Sequence, residues 1–372
     1  MKVIAAIDSF KGCASSEEIN QAALSGFSDK WQKINIPIAD GGEGTMAAIY
    51  AAYKGQYQTV LANNPLGEEV QVNYLITEID GERTAVIESA QVIGLHFINP
   101  SDQVARQVSS FGLGQVVLSA SDQEVSKIYI TLGGSATSDG GLGFLQAIGV
   151  TFFNNDRGNG NLLLDVENID YSTLNKRLKK TALVALADVN NPYIGERGFA
   201  KIFGPQKGAD QSTIDLLESQ ATKVVDMILN KNKININIPS AGAAGGIGGA
   251  IYSIGGQIQP GFATIASLLD FPETIKEANL ILTGEGRIDG QTSGGKVPYG
   301  VAILAKNHHI PTIALCGTKE INVDEIDAIF TAVFSIQSGP ISLSDAMEKD
   351  MALKNVQSTS SQICRMIERF NS

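Results

Sequence analysis

Carboxylates, hydroxyls and cations stand together at three points where an apolar run ends. Asp8-Ser9-Phe10-Lys11-Gly12 follows Val3–Ile7, and Asp188-Val189-Asn190-Asn191-Pro192 follows Leu183–Ala187. The stretch Thr283-Gly284-Glu285-Gly286-Arg287-Ile288-Asp289-Gly290-Gln291-Thr292 follows the run that begins at Leu280. Such groups can take a proton, bind a divalent cation, balance phosphate charge or, in a guanidinium, fork onto a carboxylate. Phosphoryl transfer needs that combination, because its catalysis is mostly positioning and electrostatic stabilisation. Each residue alone also has an ordinary reading: Asp8 and Asp188 would cap turns, and Arg287 would pair with Glu285 on the surface. Charges grouped at several strand ends are harder to explain that way, since open parallel sheets bind ligands at the carboxyl ends of their strands.

Glycine marks two further segments. The chain has 39 glycines in 372 residues, well above the usual share of about 7%. Asp40-Gly41-Gly42-Glu43-Gly44-Thr45 and Gly133-Gly134-Ser135-Ala136-Thr137-Ser138-Asp139-Gly140-Gly141 each follow a strand-like run and precede a helical pattern. A helix N-terminus offers unpaired N–H groups and the positive end of its dipole, and glycine lets a phosphate come close. The hydroxyls of Ser135, Thr137 and Ser138 add donors. A single glycine turn is more often plain turn geometry; several in one chain, beside Asp and Lys, point further. No GxGxxG occurs, which counts against an NAD(P)-dependent oxidoreductase, and no HRD or DFG motif of a protein kinase is present. Gly290 to Lys296 has Walker-like spacing, but Val297 stands where a metal-binding hydroxyl is needed, so we read it as coincidence.

The elements that must position these groups alternate between apolar runs and helical patterns. That predicts an α/β protein with a Rossmann-like parallel sheet. Val3–Ile7, Ile34–Ala39, Leu280–Thr283, Thr312–Cys316 and Ile329–Phe334 read as its strands. Ser15 with Glu18 forms a capping box that opens a helix, and a last helix carries Ile363, Met366, Ile367 and Phe370 inward. Val70–Ile76 and Arg83–Glu88, around Asp80-Gly81, read instead as an antiparallel hairpin. They mark a second, mixed α/β domain inserted into the first, which continues through Lys127–Leu132, Leu183–Ala187 and a helix over 212–230. The expected division is 1–60 plus 276–372 for the discontinuous parallel-sheet domain and 61–275 for the insert. The active site is expected in the cleft between them.

A formal charge of −11 disfavours nucleic acid as a partner, because an acidic surface repels phosphodiesters. Cys13, Cys316 and Cys364 are scattered, which argues against a disulfide framework or a zinc site. His96, His308 and His309 fall outside the polar segments, so a Ser–His–Asp hydrolase is poorly supported. The chain opens on a strand without a leader, and no apolar run approaches the roughly 20 residues of a membrane span. A cytoplasmic protein with no membrane partner is expected.

Taken in order, Asp8–Gly12, Ala39–Thr45, Gly133–Thr137 with Asp139–Gly141, Asp188-Val189 and Asn191-Pro192 resemble the glycerate kinase family. Phe203–Ala209, Gly242–Gly246, Thr283–Arg287, Asp289–Thr292 and Gly295–Pro298 extend the resemblance over essentially the whole chain. It implies a two-domain enzyme that uses ATP and Mg2+ to phosphorylate D-glycerate, with 2-phosphoglycerate and ADP as products. A 3-phosphoglycerate product or a related hydroxy acid stays open, as does the oligomeric state, a homodimer being one option. The sequence departs from the family pattern at Ile7, where proline is common, at Cys13, where serine is usual, and at Ser138, where asparagine is usual. On this reading Gly41, Gly42, Gly133, Gly134, Ser135 and Thr137 hold phosphate oxygens, and Lys207 or Lys11 balances their charge. Arg287 binds the acceptor carboxylate, with Asp8, Ser9 and Asn191 beside the acceptor. Asp188 is the first choice of base and Asp289 the second, while Asp40, Glu43 or Glu285 bind the metal.

Overall fold

The computed structural model describes residues 1–154, 160–290, 292, 295–320 and 328–370. Gln291, Ser293 and Gly294, and with them part of the Walker-like stretch, lie outside the described residues. The strands are β1 (Lys2–Ala5), β2 (Gln32–Asn35), β3 (Gln56–Asn63), β4 (Glu69–Ile79), β5 (Glu82–Glu88), β6 (Lys127–Thr131) and β7 (Thr151–Asn154). They continue with β8 (Val166–Asp170), β9 (Ala182–Leu186), β10 (Gln257–Gln259), β11 (Leu280–Ile288), β12 (Thr312–Lys319) and β13 (Ala332–Ser335). The chain divides into two compact units. One comprises Met1–Asp40, Ala47–Ala52 and Gly261–Ser372, the other Gly41–Met46 and Tyr53–Pro260.

The first unit is built on a five-stranded parallel sheet in the order β13-β12-β11-β1-β2. Val3, Ala5 and Ile7 pack with Ile19 and Ala23 of the helix Ser16–Ser25 and with Val356 and Ile363 of the helix Lys349–Phe370. Ile4 and Ala6 alternate with them and pack with Phe262, Phe271, Val297 and Val301. A strand covered on both faces needs an unbroken apolar run, which is how Val3–Ile7 reads. The capping box forms as the sequence predicts: Glu18 N donates to Ser15 Oγ, and Ser15 N donates to the Glu18 carboxylate.

β11 runs through Ile288, whereas the sequence reading ended the strand at Thr283. Thr283, Gly284, Glu285, Arg287 and Ile288 stand opposite Ala314, Leu315, Cys316, Thr318 and Lys319. Gly284 permits this. Its φ is +155°, and a Cβ there would lie 1.9 Å from the Leu315 carbonyl oxygen. Glu285 and Arg287 therefore project from a strand and not from a turn, which fixes them more firmly than a loop would.

The second unit carries a six-stranded mixed sheet, β10-β9-β6-β5-β4-β3, and a two-stranded sheet of β7 and β8. β3, β4 and β5 pair antiparallel, and β5, β6, β9 and β10 pair parallel. Asp80 and Gly81 hold φ of +53° and +78°, the left-handed pair a two-residue hairpin requires. β3 is absent from the sequence reading. It mixes polar and apolar residues at the sheet edge, is half exposed, and so has no apolar run to announce it. The core joins this sheet to the helices Phe111–Ser121, Gln211–Asn232 and Ala243–Ser253. Gly284→Ala is expected to shift the urea midpoint of unfolding by the equivalent of ~3 kcal/mol or more, since carbonyl and Cβ cannot share that space. A midpoint within about 0.5 kcal/mol of the parent would show that the two strands can part there without cost.

Candidate active site

In the first unit the polar groups collect at the carboxyl ends of β1, β11 and β12. They border a depression of about 310 Å3 lined by Asp8, Ser9, Lys11, Glu285, Arg287 and Asp289, among others. The Asp8–Gly12 segment is a tight turn, closed by the pairing of Phe10 with Ala14 and by Gly12 at φ +73°. Asp8 N donates to Gly284 O at 2.9 Å, tying this turn to β11. Below it, Asn20 is fully buried on the apolar face of its helix. Its oxygen accepts from Ile7 N at 2.9 Å, and its amide donates to Asn35 Oδ1 at 2.9 Å and Ile36 O at 3.1 Å. Asn20 thus fastens the ends of β1 and β2. Its signal in the sequence is a polar residue between Ile19 and Ala23 on an otherwise apolar face.

The electrostatics are those of a crowded acidic site. Asp8 is buried, and its carboxyl is pushed well above the usual carboxylate range, first by burial and then by the charge of Asp40; Lys11 and the Ser9 N–H work the other way. The Ser9 N–H donates to Asp8 Oδ1 at 2.8 Å. Glu285 is also raised by burial. It accepts from Thr292 Oγ1 at 2.7 Å and from Lys296 Nζ at 3.0 Å. Lys296 Nζ lies 3.9 Å from Asp289 as well, and Asp289 N donates to Thr292 Oγ1 at 3.1 Å. Arg287 is exposed and pairs with Glu320 and, at 3.6 Å, with Asp289. The surface pairing of Arg287 with Glu285 considered from sequence is therefore replaced: Glu285 takes Lys296, a cation the sequence reading left without a role.

In the second unit, the turns after β5, β6 and β9 lie at one edge of the mixed sheet. Leu132 N donates to Leu186 O at 2.9 Å, which sets Gly133 and Asp188 at the ends of neighbouring strands. Gly42 lies beside Gly133, whose missing Cβ would be 3.8 Å from Gly42 Cα. The Gly41–Gly44 turn is held from beneath by Glu88, which accepts from Met46 N at 2.8 Å and whose carboxyl is raised by burial. Glu43 is exposed, Asp188 half-buried, and Asn191 donates to its own loop at Arg197 O, 2.8 Å away.

The residues 133–141 divide by exposure. Gly134 is exposed and Gly133 half-buried, while Ser135, Thr137, Ser138, Asp139 and Lys207 are all buried. Asp139 accepts from Ser110 N, Ser110 Oγ, Gly141 N and Gly143 N at 2.7 to 3.1 Å, anchoring the start of the helix Leu142–Ala147. Gly140 and Gly141 make room for neighbours. Gly140 N donates to Gly245 O at 3.0 Å, and a Cβ on Gly245 would lie 1.9 Å from Thr137 O. Lys207 Nζ donates to Thr137 O at 2.5 Å and to Ser135 Oγ at 3.3 Å. The exposed surface of this turn is glycine backbone; Thr137, Ser138 and Asp139 lie behind it, and Ser135 lies between.

These arrangements suit anion binding on glycine amides in one unit and acid–base or cation chemistry in the other. Among the described residues, no group of three or more His, Cys, Asp or Glu converges as a metal cage. A model of the glycerate kinase family matches residues 3–368. The chain belongs to the glycerate kinase family. With it, the chain is a phosphotransferase, and the oxidoreductase alternative falls away. Glycerate 2-kinase of Escherichia coli K12 is 37% identical over 350 residues, covering 90% of this chain and 91% of that protein. Glycerate kinase of Halalkalibacterium halodurans is 36% identical, covering 96% and 98%. The crystal structure assigned as glycerate kinase 2 from Salmonella typhimurium LT2 superposes with a TM-score of 0.85 at 34% identity, over 100% of this chain and 99% of that one. No helix among the described residues of this family member is long and apolar enough to cross a membrane.

The strained carboxylate gives a test. A carboxyl with a raised folded-state value destabilises the fold when ionised, and the penalty disappears as pH falls and it takes its proton. Asp8→Asn is therefore expected to raise the melting temperature at pH 8, by an amount that shrinks toward pH 5, while turnover falls by about 100-fold. A gain in melting temperature that is constant from pH 5 to 8 would mean that Asp8 does not carry the strain.

Proposed function

We propose that this enzyme transfers the γ-phosphoryl group of ATP to the 2-hydroxyl of D-glycerate, giving 2-phospho-D-glycerate and ADP. The observation that carries the reading is the mixed-charge lining of the first unit's depression, where Asp8, Glu285 and Asp289 alternate with Lys11, Arg287 and Lys296. A small acid with an adjacent hydroxyl needs just such a lining: a cation for its carboxylate, acceptors for its hydroxyls, and charge to balance a triphosphate.

The chemistry of each group supports its role. Arg287, projecting from β11, exchanges Glu320 for the acceptor carboxylate, which its planar fork can grip in two bonds. Ser9 and Asn191 orient the acceptor, and Asp8 accepts from one of its hydroxyls. The amides of Gly41, Gly42, Gly133 and Gly134 hold phosphate oxygens, with Lys11 offsetting their charge. Asp188 takes the hydroxyl proton as the bond to phosphorus forms and the bond to the leaving ADP oxygen breaks; Asp289 is the alternative base. Mg2+ suits an oxygen-rich site that supplies only one or two carboxylates and leaves the remaining positions to phosphate and water. Asp40, Glu43 or Glu285 would hold it, and beside Asp40 its charge would offset the repulsion between Asp40 and Asp8.

Incubation with ATP, Mg2+ and D-glycerate, read by phosphorus NMR, tests this directly. A phosphate on the 2-oxygen couples to one methine proton and appears as a doublet, whereas one on the 3-oxygen couples to a methylene and appears as a triplet. A doublet is expected; a triplet would assign the other hydroxyl, and no new phosphoester would remove glycerate as the acceptor. Asp188→Asn should lower kcat by about 100- to 10,000-fold with little change in KM for ATP. Near-normal turnover in that variant would move the base to Asp289.

A further inference from the structure

Lys207 lies in a place that a phosphate ligand does not require. Its side chain is 2% exposed and ends beneath the Gly133–Thr137 turn. The lysine itself is rigidly mounted. It closes the short 3-10 turn Pro205–Lys207, with Lys207 N donating to Gly204 O at 3.0 Å. Gly208 follows at φ +96°, where a Cβ would lie 2.1 Å from Ser101 N. Asp210 then caps the helix Gln211–Asn232. The turn above is fastened on its other side, because Ala136 N donates to Ile93 O at 2.8 Å and Leu95 N to Gly134 O at 2.9 Å.

The two acceptors of Lys207 differ in kind. Thr137 O can only accept, so Lys207 donates to it in either protonation state. Ser135 Oγ can accept or donate. An ammonium has no lone pair, so beside it the serine oxygen must accept, and its own proton turns elsewhere. A neutral amine has a lone pair, and beside it Ser135 can turn that proton inward. The direction of the serine O–H thus depends on whether Lys207 is charged.

We infer that Lys207 is a positioning residue: its ammonium, from beneath the turn, orients the Ser135 hydroxyl so that its O–H is presented to a substrate phosphate oxygen. This rests on the reading that the Gly133–Gly134 turn receives phosphate, and it replaces direct contact between Lys207 and phosphate. The charge state of Lys207 falls in a useful range, because burial pulls its amine down to about 7, and the facing charged group, Asp139, only partly opposes this. Around Lys207, Ser135 and Thr137 are neutral, and Asp139 is bound by four donors from Ser110, Gly141 and Gly143. Below about pH 7 the ammonium form holds the serine as an outward donor; above it, that donor is progressively lost.

The test compares ATP dissociation constants of the parent and of Ser135→Ala, measured by calorimetry in the full-length protein from pH 6 to 9. Taking the ratio cancels the titration of ATP itself. The ratio is expected to be about tenfold at pH 6, the size of a hydrogen bond to a charged group, and to fall to about twofold at pH 9. A ratio that does not change with pH overturns the role of Lys207. Lys207→Met, which keeps the length of the buried chain without a donor, should weaken ATP binding and also make the Ser135→Ala ratio independent of pH. If Lys207→Met does not fold, titration of the Lys207 side chain by nitrogen-detected NMR takes its place, and a midpoint above about 9.5 would overturn the inference, since it would leave the amine charged throughout. If the parent binds no ATP at any pH, the phosphate reading of the turn fails, and that outcome is distinct from a flat ratio.

Discussion

Backbone lies against backbone at several points in this protein, with no room for a side chain between. Gly245 faces the carbonyl of Thr137, Gly246 faces Gly140, and Gly284 faces the carbonyl of Leu315. Close-packed interiors leave no slack for an extra carbon at such contacts. In the second unit this close approach sets the turn at 133–141 at a fixed depth and buries Asp139, which in turn holds the helix Leu142–Ala147. In the first unit it lets β11 continue beside β12 and carry Glu285 and Arg287 on extended backbone. The high glycine content is thus largely a packing requirement.

Against this rigid frame, the charged groups are arranged at a cost to stability. Asp8, Glu88, Glu285 and Lys207 are buried, and in each case burial is the largest influence, pushing the group toward its neutral form. Their hydrogen bonds offset part of that penalty: Ser9 N for Asp8, Met46 N for Glu88, and Thr292 with Lys296 for Glu285. Groups held away from their preferred ionisation are common where chemistry is done, because a proton or a counter-charge is then readily exchanged. Asp139 differs. It is equally buried and also raised, yet it accepts four hydrogen bonds, and its work is architectural.

Much of this was legible in the sequence, and the failures have physical causes. Val3–Ile7 announced a strand covered on both faces, Ser15 and Glu18 announced a helix start, and Asp80-Gly81 announced a hairpin; each is a local rule that tertiary packing did not override. β3 escaped because an exposed edge strand needs no apolar run. The end of β11 was misplaced because glycine is usually read as a strand terminator, and here it allows continuation. The fold brings Ser135, Thr137 and Lys207 together, but a one-dimensional pattern cannot tell the face of a turn from its floor. Asn20 and Lys296 were passed over because their partners, Ile36 and Glu285, are set by the fold.

The path of the chain has a consequence for how the molecule is made. The first unit begins at Met1 but is finished only by residues after Gly261, whereas the second unit is complete by Pro260. β1 lies in the middle of its sheet, between β2 and β11, so on the ribosome one of its sides waits for residue 280 and beyond. Domains form as units during synthesis, and the second unit can therefore close while the first is still half a sheet. Until the last third of the chain emerges, an apolar strand with an open side is exposed to other nascent chains. Premature termination anywhere past Pro260 would release one finished body attached to an unfinished one.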